Sequence, residues 1–249
     1  GDPPLFLGFL KGVDFFWPLK AMWLPTLITC GLLLTVFYVV DSFIYLKEGH
    51  KRRDPSPDSR IRVSGEISIL LLILLIGTVL ATSQFNLGHL QILNFQVPLS
   101  GLLRDGVLIV LAASSFLLCP SANREANRFS WEPVLEVAKL FAGIFITIIP
   151  AIAILSAGKH GAAAPLIDLL TKGDQTPDNT MYFWLTGMLS SFLDNAPTYL
   201  IFFNSAGGNP LTLQELIPTT LLAISAGAVF MGANTYIGNA PNFMVKSIA

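Results

Sequence analysis

Long apolar runs separated by short polar stretches dominate the chain. About 20 consecutive apolar residues are needed to cross a bilayer as a helix. The runs near that length lie at residues 21–46, 66–82 and 134–157. The run at 106–119 is short for a crossing unless residues from Val97 onward join it, and an apolar half-helix at 5–10 precedes the first crossing. The pattern predicts an all-α polytopic membrane protein.

Two further apolar runs are interrupted by polar residues in their middle, and the first lies at 181–203. It contains Asp194-Asn195-Ala196-Pro197-Thr198, and a carboxylate at mid-membrane costs roughly 2.5–3.5 kcal/mol on insertion scales. Pro197 has no amide hydrogen and disfavours helical geometry at Ala196. Irregular backbone at that depth is tolerated only where protein covers it or water reaches it. We therefore predict a re-entrant helical hairpin that forms half of an ion or substrate site.

The second interrupted run begins at residue 216, and its polar break is Gly232-Ala233-Asn234-Thr235-Tyr236-Ile237-Gly238-Asn239-Ala240-Pro241-Asn242. Glycine permits non-helical dihedral angles, and Pro241 suits the first turn of a resumed half-helix. A simple kink needs far fewer polar residues. We therefore predict a discontinuous helix over residues 216–249.

Composition and charge agree with a membrane protein. The chain is 53% hydrophobic and 12% charged, its mean hydropathy is +0.63, and soluble domains carry about 25% charged residues. Basic residues concentrate in the loop 47–62, so the positive-inside rule predicts a cytoplasmic loop and a multi-pass protein of the cell inner membrane. Because the net charge is −1 and no other basic tract occurs, nucleic acid is not an expected partner. The expected partner is the lipid bilayer.

The remaining segments give weaker expectations. The mixed stretch 83–105 is expected to lie on the outer surface as an amphipathic segment, and 162–170 to form an interfacial helix. Cys30 and Cys119 fall at different depths, so we expect buried, inert thiols without a disulfide. The three histidines lie far apart in loops, so no metal cluster is expected.

The opening stretch 1–7, Gly-Asp-Pro-Pro-Leu-Phe-Leu, aligns with 238–244, Gly-Asn-Ala-Pro-Asn-Phe-Met, and the Gly, one Pro and the Phe coincide. Corresponding broken helices in two inverted halves are the best sequence pointer to a transporter's binding site. On this interpretation the chain is a fragment, with a first hairpin before Gly1 and a helix continuing after Ala249. Its segments would be the end of a first-half discontinuous helix at 1–20, spans and loops linking the halves at 21–133, and the second-half repeat at 134–249.

The Asp194-Asn195-Ala196-Pro197-Thr198 tip, together with the break Asn234-Thr235-x-x-Gly238-Asn239-x-Pro241-Asn242, resembles the ion-transporter superfamily. That group holds NhaD-type sodium/proton antiporters, arsenite permeases and citrate or dicarboxylate carriers. The opening Gly-Asp-Pro-Pro-Leu-Phe-Leu-Gly-Phe-Leu is similar to a branch labelled sodium/proton antiporter or citrate transporter. The resemblance implies two inverted halves, each giving a hairpin tip and an unwound helix to a central site, and relatives are often homodimers. The dicarboxylate branch has a Ser-Asn-Thr tip; here Asp194 replaces the serine and the threonine is delayed to Thr198, which counts against dicarboxylate binding.

Carbonyl groups freed at an unwound helix, with Asn and Thr oxygens, are hard ligands that suit sodium. Burial favours the protonated form of a carboxylate and a bound cation favours the ionised form, so proton and sodium would compete for Asp194. The residues expected at the ion or substrate site are Asp194, Asn195, Thr198, Asn234, Thr235, Gly238, Asn239, Asn242 and Asp2. Sodium itself is expected at Asp194, Asn195, Asn234 and Thr235. We predict a secondary transporter that exchanges sodium for protons by alternating access, with no cofactor besides the transported ions.

Several alternatives stand beside this prediction. Asp194 and Asp2 would also suit helix N-caps, because an acid is favourable at a helix N-terminus. Glu136 and Lys139, one turn apart, form either an i,i+3 ion pair near the cytoplasmic surface or a proton-coupling site. Cation-coupled symport of citrate or another organic acid anion is the alternative function, with Lys139 as the available basic residue. An intramembrane aspartyl protease would need Tyr-Asp and Gly-x-Gly-Asp motifs, and neither occurs, so no enzyme is expected.

Overall fold

The computed structural model of the chain describes residues 3–48, 65–85, 87–92, 95–127, 129–157, 160–173, 176–235, 238–239 and 242. Asp2, most of the loop 47–62 and the half-helix expected after Asn242 lie outside the described residues. The described chain is mostly helical and also contains a two-stranded β-hairpin.

In chain order the elements are α1 (Pro3–Leu10), α2 (Trp17–Glu48), α3 (Glu66–Gln84), β1 (His89–Ile92), β2 (Phe95–Pro98), α4 (Leu99–Leu118), α5 (Ser121–Ala126), α6 (Glu132–Ser156), α7 (Ala164–Leu170), α8 (Asn179–Phe192), α9 (Asn195–Ser205), α10 (Pro210–Glu215), α11 (Pro218–Ala226) and a π-helical segment (Gly227–Met231). They fall into two compact units, which are Gly1–His50 with Trp131–Ala249, and Lys51–Ser130. The division into two inverted halves stays a prediction.

Within the part of the chain that the structure describes, the helices long and apolar enough to cross a membrane are Trp17–Lys47, Leu99–Leu118 and Val134–Ile154. Shorter apolar helices cover Glu66–Thr82 and Pro218–Met231. The short run at 106–119 is thus lengthened by upstream residues, and its helix begins at Leu99. Large apolar side chains are exposed along α2, α3 and α4, and in such apolar helices this is the surface that lipid covers. The protein is an all-α polytopic membrane protein.

A β-hairpin lies in the stretch that was expected to be an amphipathic segment on the outer surface, and the location of that segment on the outer surface stays a prediction. The strands β1 and β2 are antiparallel, with Leu90 opposite Val97. The sequence His89-Leu90-Gln91-Ile92 alternates polar and apolar residues, and this period of two is typical of a strand. Leu99 N donates to Gly88 O at 3.0 Å, so α4 starts directly from the hairpin.

The two cysteines differ in exposure. Cys119 is buried as expected, and its Sγ lies 3.1 Å from Ser68 Oγ. Cys30 is exposed on α2, so the expectation of a buried thiol is wrong there. Because α2 is apolar on all of its faces, its sequence does not indicate which face the protein covers.

The core of the first unit surrounds α9. That helix packs against α1, α6, α8 and α11. Tyr199, Phe202 and Phe203 on α9, with Leu221 and Ile224 on α11, are at most 1% exposed. A short helix at the centre of a membrane protein is therefore held by protein on its sides and not by lipid.

Candidate ion-binding site

The hairpin predicted around Asp194 consists of α8 and α9. Leu193 N donates to Leu189 O at 2.8 Å as α8 ends, and the extended Leu193 is followed by the N-cap Asp194. Pro197 is the third residue of α9, where an amide hydrogen has no partner within the helix. The non-helical residues of the turn are Leu193 and Asp194, and Ala196 is helical although it precedes a proline, so the expectation of a break at Ala196 is wrong.

The second interrupted run folds as α11, the π-helical segment and a polar turn. A Cβ on Gly227 would lie 2.5 Å from Phe183 O, so the π-helical segment packs directly on the backbone of α8. Asn234 N donates to Met231 O at 3.0 Å and closes the turn that follows. Single-turn π-helices occur mostly inside α-helices and frequently at functional sites.

The hairpin tip and the break contact each other through hydrogen bonds. Asn195 N donates to Gly238 O at 3.0 Å. Thr235 Oγ1 donates to Ser191 O at 2.7 Å and accepts from Gly238 N at 3.0 Å. We call this region the junction; it comprises residues 191–198 of the hairpin and the described residues of the break, 232–235, 238–239 and 242. Both ends of the hairpin tip therefore hold the same stretch of the break.

Asp194 caps α9 with one carboxylate oxygen, and its other carboxylate oxygen takes no part in the cap. Its Oδ1 accepts from Ala196 N at 3.3 Å, and its backbone O accepts from Thr198 Oγ1 at 3.0 Å. The residue is 7% exposed, and its Oδ2 has no hydrogen-bond partner among the described residues. Capping and ion binding thus use different oxygens of one residue and are compatible.

The other predicted site residues of the break lie at the same junction. Asn234 Nδ2 donates to Ser191 Oγ at 3.2 Å, and Asn242 Nδ2 donates to Thr235 O at 3.4 Å. Asn239 Oδ1 is buried and has no partner among the described residues. On the hairpin side, Asn195 and Thr198 are completely buried. The structure therefore brings eight of the nine predicted residues together, and Asp2 lies outside the described residues.

Glu136 and Lys139, the predicted proton-coupling residues, both lie on α6. Both side chains are exposed on α6, and the described side chains show no ion pair between them. No described hydrogen bond of the junction involves either residue. The predicted i,i+3 pair is thus not formed, because two exposed side chains at this spacing gain only a few tenths of a kcal/mol, about 0.2–0.5, from pairing.

Over its whole length, residues 1–249, the chain matches the model of a family described as "Putative citrate transport". The chain belongs to this citrate-transport family. No curated protein and no solved structure matches it. As a member of this family the protein is a citrate-transporter-like secondary transporter and not an enzyme.

In this transporter most hydrogen-bond donors of the junction already donate to oxygen atoms of the protein. The first amides of α9 show this, since Asn195 N donates to Gly238 O, Ala196 N to Asp194 Oδ1 and Thr198 N to Asp194 O. Pro197 has no amide hydrogen. The N-terminus of α9 therefore has no amide left for an anion, although such termini are common anion sites.

Two serines at the end of α8, one within the transporter's junction and one directly before it, were not among the predicted site residues. Ser190 Oγ donates to Ala228 O at 2.8 Å, and Ser191 Oγ donates to Met231 O at the same distance. Both acceptors belong to the π-helical segment. The available sequence signal was a pair of serines directly before the hairpin tip, in a run that is otherwise apolar.

Proposed function

We propose that this transporter binds sodium at Asp194 and exchanges it for protons. The observation that carries the proposal is the buried Asp194 Oδ2, which accepts no hydrogen bond from the described residues. A buried carboxylate oxygen without a partner is costly, and a cation or a proton would remove that cost. Alternating access at the junction would then couple the two ions.

The chemistry of the junction supports a cation as the ligand. Asn239 Oδ1 is a second buried acceptor without a described partner, and oxygen ligands suit sodium. No described lysine or arginine forms a hydrogen bond or an ion pair in the junction. The proposed ligands are drawn from Asp194, Asn195, Thr198, Asn234, Thr235, Gly238, Asn239 and Asn242.

Cation-coupled symport of citrate is the second candidate, and the description of the family favours it. Symport would use the same cation site, because the carboxylate of Asp194 is unsuited to bind an anion. Citrate would then require donors elsewhere in the protein, since the amides of α9 are already bonded. The two candidates differ in whether citrate is needed for sodium movement.

The first test replaces Asp194 by Asn in proteoliposomes that contain a pH-sensitive dye. Asparagine is as good an N-cap as aspartate, so Asp194→Asn keeps α9 capped and removes only the charge. We expect sodium-dependent proton flux to fall to the level of empty vesicles. Asp178→Asn is the matched control, because Asp178 caps the other hairpin arm by accepting from Thr180 N and Met181 N.

Normal flux in Asp178→Asn together with lost flux in Asp194→Asn supports the proposal, whereas full exchange by Asp194→Asn contradicts it. Uptake of radiolabelled citrate into the same vesicles separates the candidates. Uptake that requires both a sodium gradient and Asp194 would establish symport, and exchange without citrate would establish antiport.

Competition between the ions gives a second prediction. A protonated Asp194 cannot bind sodium, so lowering the pH should raise the sodium KM and leave the maximal rate unchanged. The check is a series of sodium titrations at several pH values in wild-type vesicles. If lowering the pH reduces the maximal rate and leaves the sodium KM constant, the proton acts at a group other than Asp194.

A further inference from the structure

Ser191 connects three parts of the protein through one hydroxyl group. Its Oγ donates to Gly187 O in its own helix at 3.0 Å and to Met231 O in the π-helical segment at 2.8 Å. The same oxygen accepts from Asn234 Nδ2 at 3.2 Å. Ser191 is only 9% exposed, so water has little access to its hydroxyl group.

This arrangement determines the orientation of the Asn234 amide. A serine hydroxyl carries a single hydrogen, and here that hydrogen points to backbone carbonyl oxygens, which can only accept. Towards Asn234 the Ser191 oxygen is therefore an acceptor and requires the NH2 end of the amide. The opposite end, Asn234 Oδ1, accepts no hydrogen bond from the described residues, and the residue is exposed.

We propose that Ser191 is a positioning residue of the cation site, which acts by holding the Asn234 amide with its oxygen available to the ion. The inference rests on the proposed sodium site. Without the hydroxyl the amide is free to rotate by half a turn, and its NH2 group would then face the cation. Ser191 itself does not contact the ion.

The chain offers a matched control in Ser190. This residue is the neighbour of Ser191, is completely buried, and donates to another carbonyl of the same π-helical segment, Ala228 O at 2.8 Å. It forms no hydrogen bond with Asn234. Alanine at either serine therefore removes one buried bond to the π-helical segment, but only Ser191→Ala releases the amide.

The test measures the sodium KM and the thermal stability of Ser190→Ala and Ser191→Ala. We expect similar losses of melting temperature in both. The sodium KM should rise about three- to tenfold in Ser191→Ala, which is the factor equivalent to one ordinary hydrogen bond, and stay at the wild-type value in Ser190→Ala. In an Asn234→Ala background, Ser191→Ala should cause no further rise, because the group through which it acts is gone.

Equal KM values for the two serine variants would overturn the inference, as would additive effects in the Asn234→Ala background. If Ser191→Ala does not fold, Ser191→Cys keeps most of the volume with a weaker acceptor, and the same rise in KM is expected. Sodium dependence that survives in Asp194→Asn, or is missing in the wild type, would instead overturn the proposed function itself. The two failures are therefore distinguishable within one set of vesicles.

Discussion

Gly238 is enclosed by backbone on both sides. A Cβ at this position would contact Ser190 O and would lie 2.6 Å from Gly232 O. Both oxygens belong to the backbone, so they cannot rotate away as a flexible side chain would. The absence of a side chain at Gly238 is what allows its carbonyl to reach Asn195 N at 3.0 Å.

We therefore expect Gly238→Ala to lower the free energy of unfolding by about 1–3 kcal/mol, the usual cost of overpacking, and to reduce sodium-dependent flux. Thermal unfolding in detergent and the vesicle assay measure the two effects. Gly143→Ala is the control, since a Cβ there meets nothing within 4 Å and an alanine in a helix interior is about 1 kcal/mol more favourable than a glycine. Equal stability of the two variants would contradict the packing argument.

Individual residues differ in how far sequence alone could assign them. Asp194 and Pro197 were predictable because each carries a free-energy cost in an apolar run. An acid is costly to bury in the membrane, and a proline removes a hydrogen bond from a helix, so both mark a site or a break. Ser190 and Ser191 were not, because a serine in an apolar helix commonly bonds to its own backbone. Their partners, Ala228 O and Met231 O, belong to a segment whose geometry depends on packing.

At the scale of elements, α1 and α9 pack closely at Gly8. A Cβ on Gly8 would lie 2.5 Å from the hydroxyl oxygen of Tyr199, and 3.3 Å from the ring carbon that carries it. Tyr199 is 1% exposed, so its ring has little room to move. The distance between the two helices is thus set by a glycine on one and a phenol on the other.

Gly8→Ala should therefore destabilise the protein, and Tyr199→Phe should relieve the clash by removing the hydroxyl. The free energy of unfolding of the double variant should exceed the value predicted from the sum of the two single effects by about 1 kcal/mol or more. Coupling of this size is usual for residues in direct contact. Melting temperatures of the wild type, both single variants and the double variant provide the cycle. Strict additivity would show that the helices do not meet at this pair.

Sequence patterns identified the hairpin arms but not all of the other elements. The break at Leu193 and Asp194 has a local cause, since the residues that end α8 and begin α9 are adjacent in the chain. The π-helical segment has no such cause, because its shape depends on contacts such as that of Gly227 with Phe183 O. The β-hairpin was missed because its two strands are only four residues each.

At the scale of the whole molecule, exposed apolar helices establish a membrane protein, and charge asymmetry is the remaining guide to its orientation. If the basic loop 47–62 is cytoplasmic, α3 crosses outward, α4 returns and α6 crosses outward again. His89, the first residue of β1, and Lys172, which follows α7, would then lie outside. Ser121, at the start of α5, would lie on the cytoplasmic side with Lys51.

Single cysteines at these four positions test the arrangement. Lys51→Cys, His89→Cys, Ser121→Cys and Lys172→Cys are made in a Cys30→Ala background, which removes the exposed native thiol. A membrane-impermeant maleimide should label positions 89 and 172 on intact cells, and positions 51 and 121 only in inside-out vesicles. The reason is parity, since two crossings between Lys51 and Ser121 return the chain to its original side. Labelling of 51 and 121 from opposite sides would mean that α3 or α4 does not cross, and labelling of 51 on intact cells would reverse the orientation.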